Sequence, residues 1–220
     1  MIAPSSVAPA PPGRGWTVLT GALVALTVAL GIIAVPWSLT QERAVPPAPA
    51  GPRWFGSYVD VARVGATSSL AGGSPSDAVV LAFVGAVSAD ACTASWAGAY
   101  SLADAARVLD LDHRIARVQQ GGRTVAVSFG GTGIELAGAC ASVGDLVSAY
   151  ASVLDRYAVT TMDLDLGARS LDDPAAGDRR AQAVAQLQAN RRAGGTQLAV
   201  WLTLPAGRGG PSPDGLRSVR

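Results

Sequence analysis

From position 54 onward, short apolar or β-rich runs recur along the chain: WFGSYVDV (54–61), AVVLAFVGAV (78–87), RTVAVSFGG (123–131), AVTTMDLDL (158–166) and TQLAVWLTLP (196–205). The middle runs are almost continuous in Val, Ala and Leu, a pattern expected of strands covered on both faces of a parallel sheet. The stretches between them fit helices. Residues 101–120 carry Leu102, Ala105, Ala106, Leu109, Ile115 and Val118 at near-helical spacing and end at Gly121-Gly122, which predicts one helix. Residues 143–157 and 177–195 have the same form, the second closed by Gly194-Gly195, and 212–219 reads as the start of a further helix. Alternation of strand and helix predicts βαβ units on a parallel sheet, either a doubly wound open sheet or a (β/α)8 barrel. No G-x-G-x-x-G follows the first strand, which disfavours a dinucleotide site.

The N-terminal quarter has another pattern. Residues 1–15 are rich in Pro, Ala and Ser and read as a disordered tail. Trp16 to Leu39 contains no charged residue, and at 1.5 Å per residue it can span a hydrocarbon core of ~30 Å. Trp16 and Trp37 stand near its ends, where amphipathic rings favour the interface. This predicts a transmembrane helix or signal anchor over 16–39, the alternatives being a cleaved signal peptide with an A-x-A-like site at Ala48-Pro49-Ala50, or a buried helix. Residues 40–53, with prolines at 46, 47, 49 and 52, read as a semi-stiff linker to a domain over 54–220. Both leading alternatives place that domain outside the cytoplasm, at the cell membrane or secreted.

Composition narrows the partners. The formal net charge is +1, so nothing points to nucleic acid, which needs a clustered basic surface. Cys92 and Cys140 are the only cysteines. One disulfide is the economical reading in an oxidising compartment, two separately buried thiols the alternative. With one distant histidine, His113, they make no zinc cluster, and no metal or cofactor is expected. His113 lies in the second predicted crossover and reads as a surface residue.

In parallel α/β folds, ligands meet the carboxyl ends of the strands. The third strand ends in Ser128-Phe129-Gly130-Gly131 and the fourth in Asp163-Leu164-Asp165-Leu166-Gly167. Alternation puts Asp163 and Asp165 on one face, with Gly167 following them. Two carboxylates facing one way raise each other's proton affinity unless they are solvated at an exposed strand end.

These two strand ends resemble the paired motifs of family 18 glycoside hydrolases, in which S-x-G-G precedes D-x-x-D-x-D-x-E. Ser128, Gly130 and Gly131 match the first motif, and Asp163 and Asp165 match the middle and last aspartates of the second. The similarity runs from about Ser57 to Pro205 and is nearest the bacterial chitinase-like branch. Tyr58-Val59-Asp60 resembles that branch's first strand, Ala82-Phe83 the end of its second, and Leu202-Thr203-Leu204-Pro205 the end of its fifth. Cys92, Trp96 and Cys140 resemble a region with a cysteine pair in that branch. The resemblance selects a TIM (β/α)8-type barrel with about five β/α units present, and no residues remain in this sequence for the later strands.

Two positions depart from the motif: its first aspartate falls on Thr160 and its terminal glutamate on Gly167. The resemblance implies that the glutamate protonates the leaving glycosidic oxygen while the substrate's own 2-acetamido group attacks, oriented by the adjacent aspartate. That scheme departs from the usual pair of carboxylates. Asp165, supported by Asp163, matches the orienting role, and the acid position is vacant. Glu135 is the nearest glutamate and reads as a solvated loop residue rather than a substitute acid. The implied function is binding of N-acetylglucosamine-containing glycans with impaired catalysis, through Tyr58, Phe83, Ser128, Gly130, Gly131 and Trp201. The alternatives are an active hydrolase using another acid and a non-functional truncated homologue.

Overall fold

The computed structural model describes residues 56–66, 68–70, 78–131 and 133–217. The predicted tail, the apolar segment 16–39 and the linker 40–53 lie outside the described residues. Among the described residues no helix is long and apolar enough to cross a membrane.

All five predicted strands form. They are β1 (Gly56–Asp60), β2 (Ala78–Ser88), β5 (Thr124–Gly130), β6 (Thr161–Asp165) and β7 (Ala199–Thr203). They pair in parallel in the order β1-β2-β5-β6-β7. Between β2 and β5 the chain inserts β3 (Ala91–Trp96) and β4 (Tyr100–Ser101), absent from the sequence reading. β3 runs antiparallel to the far half of β2, Val84–Ser88. One edge of β2 therefore serves β1 along its first half and β3 along its second. A small ladder, β8 (Ala206–Gly207) with β9 (Gly210–Pro211), follows β7.

The predicted helix over 101–120 is in fact two, α1 (Leu102–Leu109) and α2 (Leu111–Gln120). Asp110 separates them in the left-handed region, φ 50°, with its N–H capping the carbonyl of Ala105. Aspartate tolerates that region better than most residues, so the break needs no glycine. The next crossover holds α3 (Leu136–Ala139) and α4 (Val143–Arg156), and the one after it α5 (Ala168–Leu171) and α6 (Pro174–Ala193). α7 (Pro213–Arg217) is the last element described. Ser101, Ser142 and Asp173 cap α1, α4 and α6 by accepting the N–H groups of Asp104, Asp145 and Ala176. α6 begins three residues ahead of the predicted start because Asp173-Pro174 supplies a cap and a first-turn proline.

Strand alternation sorts the sheet into two faces. One face sends Val79, Leu81, Val125, Val127, Phe129, Met162 and Leu164 into a core with Leu146, Tyr150, Val153, Leu154, Ala183 and Leu187 of the helices. Phe129 meets Tyr150 edge-on, ring centres 5.0 Å apart. The other face carries Ala126, Ser128, Asp163 and Thr203 with the rings of Tyr58 and Trp201, and the candidate site stands there. Trp96 is fully buried and its indole N–H donates to Tyr157 Oη at 3.0 Å. Cys92 of β3 and Cys140, at the end of α3, form a disulfide, which fastens the inserted hairpin to the next crossover.

Candidate functional site

The register of β5, β6 and β7 assembles the site. Ser128 stands opposite Asp163, and Asp163 opposite Trp201. Two residues further on, Gly130 stands opposite Asp165, and Asp165 opposite Thr203. Asp163 is 1 % exposed, yet its carboxylate is well supplied with donors. Oδ2 accepts from the Ser128 hydroxyl at 2.6 Å and from the Tyr58 phenol at 3.1 Å. Oδ1 accepts from the Thr203 hydroxyl at 2.9 Å. The oxygens of Tyr58 and Thr203 are also 2.9 Å apart. Four strands thus converge on one buried carboxylate, the arrangement a buried charge requires.

Asp165 is placed differently. It sits at the end of β6, partly exposed, and takes no side-chain hydrogen bond among the described residues. Burial, and then the charge of Asp163, raise its carboxyl above the usual range. The two carboxylates on one face are therefore inequivalent: one held by hydroxyls, one open toward the strand ends. Burial likewise pushes the Tyr58 phenol up, with the Thr203 hydroxyl opposing and Asp163 reinforcing the shift.

The Gly-Gly pair has a steric cause. Gly130 has φ +105°, and a Cβ there would lie 2.4 Å from the Asp165 carbonyl oxygen. Gly131 has φ +70°, and its Cβ would strike the Phe83 ring at 2.7 Å. The Gly131 N–H donates to Asp165 O at 3.0 Å. The two glycines thus let β5 close against the backbone of the Asp165 strand and the face of Phe83. A cleft of about 240 Å³ opens beside them, lined by Asp60, Phe83, Gly98, Gly130 and Gly133 among others.

The residues singled out from the sequence fall as follows. Ser128 is fully buried and its hydroxyl is turned to Asp163, so it orients that carboxylate from below. Tyr58 is 48 % exposed and its ring lies 6.4 Å from that of Phe83. Trp201 is half-buried on the Asp163 face. Thr160 is exposed just ahead of β6, and its carbonyl accepts the Ala199 N–H. His113 is exposed and paired with Asp110. Thr203 was missed; its signal was its place two residues after Trp201, on the same strand face.

Gly167 follows β6 with ordinary backbone geometry. Among the described residues a Cβ at this position would meet the Gly131 carbonyl oxygen alone, at 3.8 Å, a normal contact. The backbone there accepts a Cβ without displacing a described atom. Glu135 is not the solvated loop residue expected. It is 12 % exposed and ion-paired with Arg180, itself 7 % exposed, because α6 crosses directly behind the start of α3. Its carboxylate is committed to that guanidinium.

No protein-family model matches the chain. Among characterised proteins it is 30% identical over 188 residues to endochitinase 11 of Metarhizium anisopliae, covering 84% of this chain and 35% of that one. It is 29% identical over 188 residues to a probable bifunctional chitinase/lysozyme of Escherichia coli strain K12, covering 84% of this chain and 20% of that one. The chain therefore spans between a fifth and about a third of the relatives it matches. Among solved structures, the catalytic domain of a hyperthermophilic chitinase from Pyrococcus furiosus superposes with a TM-score of 0.61 at 24% identity, over 76% of this chain and 52% of that one. A catalytic-site mutant of active domain 2 of a thermostable chitinase from Pyrococcus furiosus, complexed with chito-oligosaccharides, superposes at 0.55, 23% identical, over 70% of this chain and 48% of that one.

Proposed function

Since the chain is a chitinase-like member of glycoside hydrolase family 18, we propose that its sheet end binds N-acetylglucosamine-containing glycans of the chitin type and hydrolyses them poorly or not at all. The observation that carries this reading is the contrast between Asp163 and Asp165 beside an empty acid position. Asp163 is fixed by three hydroxyls, and its charge, after burial, raises the open carboxylate of Asp165. Such a carboxylate suits the orientation of a sugar acetamido group, accepting its N–H and stabilising positive charge that develops nearby. Tyr58, Phe83 and Trp201 supply apolar ring surface on the same side.

The missing step is protonation of the leaving oxygen. Gly167 carries no titratable group, and Glu135, tied to Arg180, does not replace it. Loss of general acid assistance typically costs ~10²–10⁴ in rate. The likeness to half of a larger chitinase domain supports a barrel of which this chain holds five parallel strands. The uncharged stretch 16–39 and the Cys92–Cys140 disulfide support a location outside the cytoplasm, anchored by that stretch.

The test is to mix the purified full chain with an N-acetylated chitin oligosaccharide and measure binding and cleavage separately. Binding that weakens in Asp165→Ala, with cleavage no faster than in that variant, is the expected outcome. Cleavage clearly above that of Asp165→Ala would sink the impaired-catalysis reading, and no binding at all would sink glycan recognition.

A further inference from the structure

The other end of the sheet carries a feature that the glycan site does not use. Arg114, on α2, is 3 % exposed. Its two terminal nitrogens donate to the carbonyls of Leu109 at 3.0 Å and Ser68 at 3.1 Å. Its Nε, also buried, has no partner. Among the described residues no carboxylate lies within ion-pair distance of it, although buried guanidinium groups ordinarily have one. Burial accordingly holds the group below arginine's usual value.

Arg114 lines a cleft of about 810 Å³ between one face of α2 and the residues Ala66, Ser68, Ser69 and Leu70. Ser68, Asp110, Arg117 and Arg123 also line it. Among the described lining residues the one carboxylate, Asp110, is engaged outside Arg114 by His113 at 2.6 Å and by Arg117 at 3.4 Å. Among the described residues the lining thus holds the guanidinium groups of Arg114, Arg117 and Arg123 and the carboxylate of Asp110. Arg123 precedes the first residue of β5, whereas Gly130 at the far end of that strand adjoins Asp165. Six residue steps of strand put the two sites ~20 Å apart.

We infer that this cleft is a binding site for a phosphoryl oxyanion, which supplies the counter-charge that Arg114 lacks. Planar guanidinium groups recognise phosphate through paired N–H bonds, and Arg117, the most exposed of the cleft's arginines, is held among the described residues only by its 3.4 Å contact with Asp110 and turns toward the ligand when that contact opens. The phosphoryl group can come from solution or from an anionic lipid headgroup; the chemistry in the cleft is the same.

The experiment uses the full chain in uncharged detergent micelles. Sodium phosphate is titrated calorimetrically against sodium chloride of equal ionic strength, and the Arg114 Nε–H resonance is followed by ¹⁵N NMR. Saturable phosphate binding, with a shift of the Arg114 signal, is expected. Affinity should fall at least tenfold in Arg117→Ala and vanish in the double variant Arg117→Glu/Arg123→Glu. Arg107→Ala, an exposed arginine elsewhere on the surface, should bind as the parent does. Repeating the titration in phosphatidylcholine and phosphatidylglycerol nanodiscs separates the sources. If the phosphatidylglycerol disc moves the Arg114 signal without added phosphate, the headgroup is the ligand; if only added phosphate moves it, the ligand is free phosphate. Either result supports the site. A chloride response equal to the phosphate response, binding that survives the double charge reversal, or an unmoved Arg114 signal in both discs and micelles would overturn it.

Discussion

The Ser128 hydroxyl donates to Asp163 Oδ2 at 2.6 Å across the β5–β6 register, with neither residue more than 1 % exposed. Removing the donor leaves a buried carboxylate oxygen with one bond fewer and no water to replace it. Ser128→Ala should therefore destabilise the protein by ~1–3 kcal/mol. Denaturant midpoints of the parent and the variant measure this, with Ser148→Ala, an exposed helical serine, as the neutral comparison.

Asp165 gives a pH signature. Its folded carboxyl is raised by burial and by Asp163, so the folded state binds a proton that the unfolded state has already released. Its contribution is most favourable below the unfolded value, near 3.8, and is lost as pH rises through the folded value. Asp165→Asn removes the titration. The variant should be more stable than the parent at neutral pH, and the difference should shrink as pH falls toward the ordinary carboxylate range. A gap in melting temperature that does not change with pH would contradict the assignment.

Gly167 offers a gain-of-function experiment. The position has ordinary backbone geometry and space for a Cβ. Gly167→Glu should fold as the parent does and raise chitin-oligosaccharide cleavage by ~10²–10⁴. The same change combined with Asp165→Ala should lose the gain, because the acid would then protonate a bond whose acetamido nucleophile is no longer oriented. Initial rates of the parent and the two variants decide this.

The two motif glycines should resist substitution for different reasons. Gly130→Ala drives a methyl into the Asp165 carbonyl and Gly131→Ala drives one into the Phe83 ring, both at positive φ. Each should lose at least the ~1–3 kcal/mol of a strained left-handed residue. Gly138→Ala in α3 meets nothing within 4 Å and should be neutral or slightly stabilising. Thermal unfolding of the three variants tests the ordering.

Breaking the buried Glu135–Arg180 pair from one side should be costly. Arg180→Met strands a carboxylate that is 12 % exposed, with an expected loss of ~3–5 kcal/mol. Adding Glu135→Leu should recover most of it. A single variant as stable as the parent would show that water reaches Glu135 after all.

The sequence made the parallel sheet legible because Val79–Val84 and Val125–Val127 are apolar on both faces, a pattern expected of covered strands. The β3–β4 hairpin was not legible. Its residues are small and partly polar, and they become a strand through pairing with the far half of β2 and the bond to Cys140. The break at Asp110 escaped for a related reason: Leu111, Ile115 and Val118 nearly continue the spacing of α1, and no glycine or proline marks the turn. Within the site, Asp163 and Asp165 could be assigned to one face from alternation alone. Their inequivalence could not, because it depends on hydroxyls 105 and 40 residues away, at Tyr58 and Thr203. Glu135 failed as a surface residue because its neighbour Arg180 arrives from a helix 45 positions later.

The disulfide makes the hairpin a clock. Cys140 is 1 % exposed and Cys92 on β3 is partly covered, so a reducing thiolate reaches the bond in full when that hairpin lifts. The rate at which the Cys92–Cys140 bond is cleaved under native conditions therefore reports how often β3 leaves β2. That makes a covalent bond a counter of motion at the rim of the cleft beside Gly130, readable by mass spectrometry without any ligand.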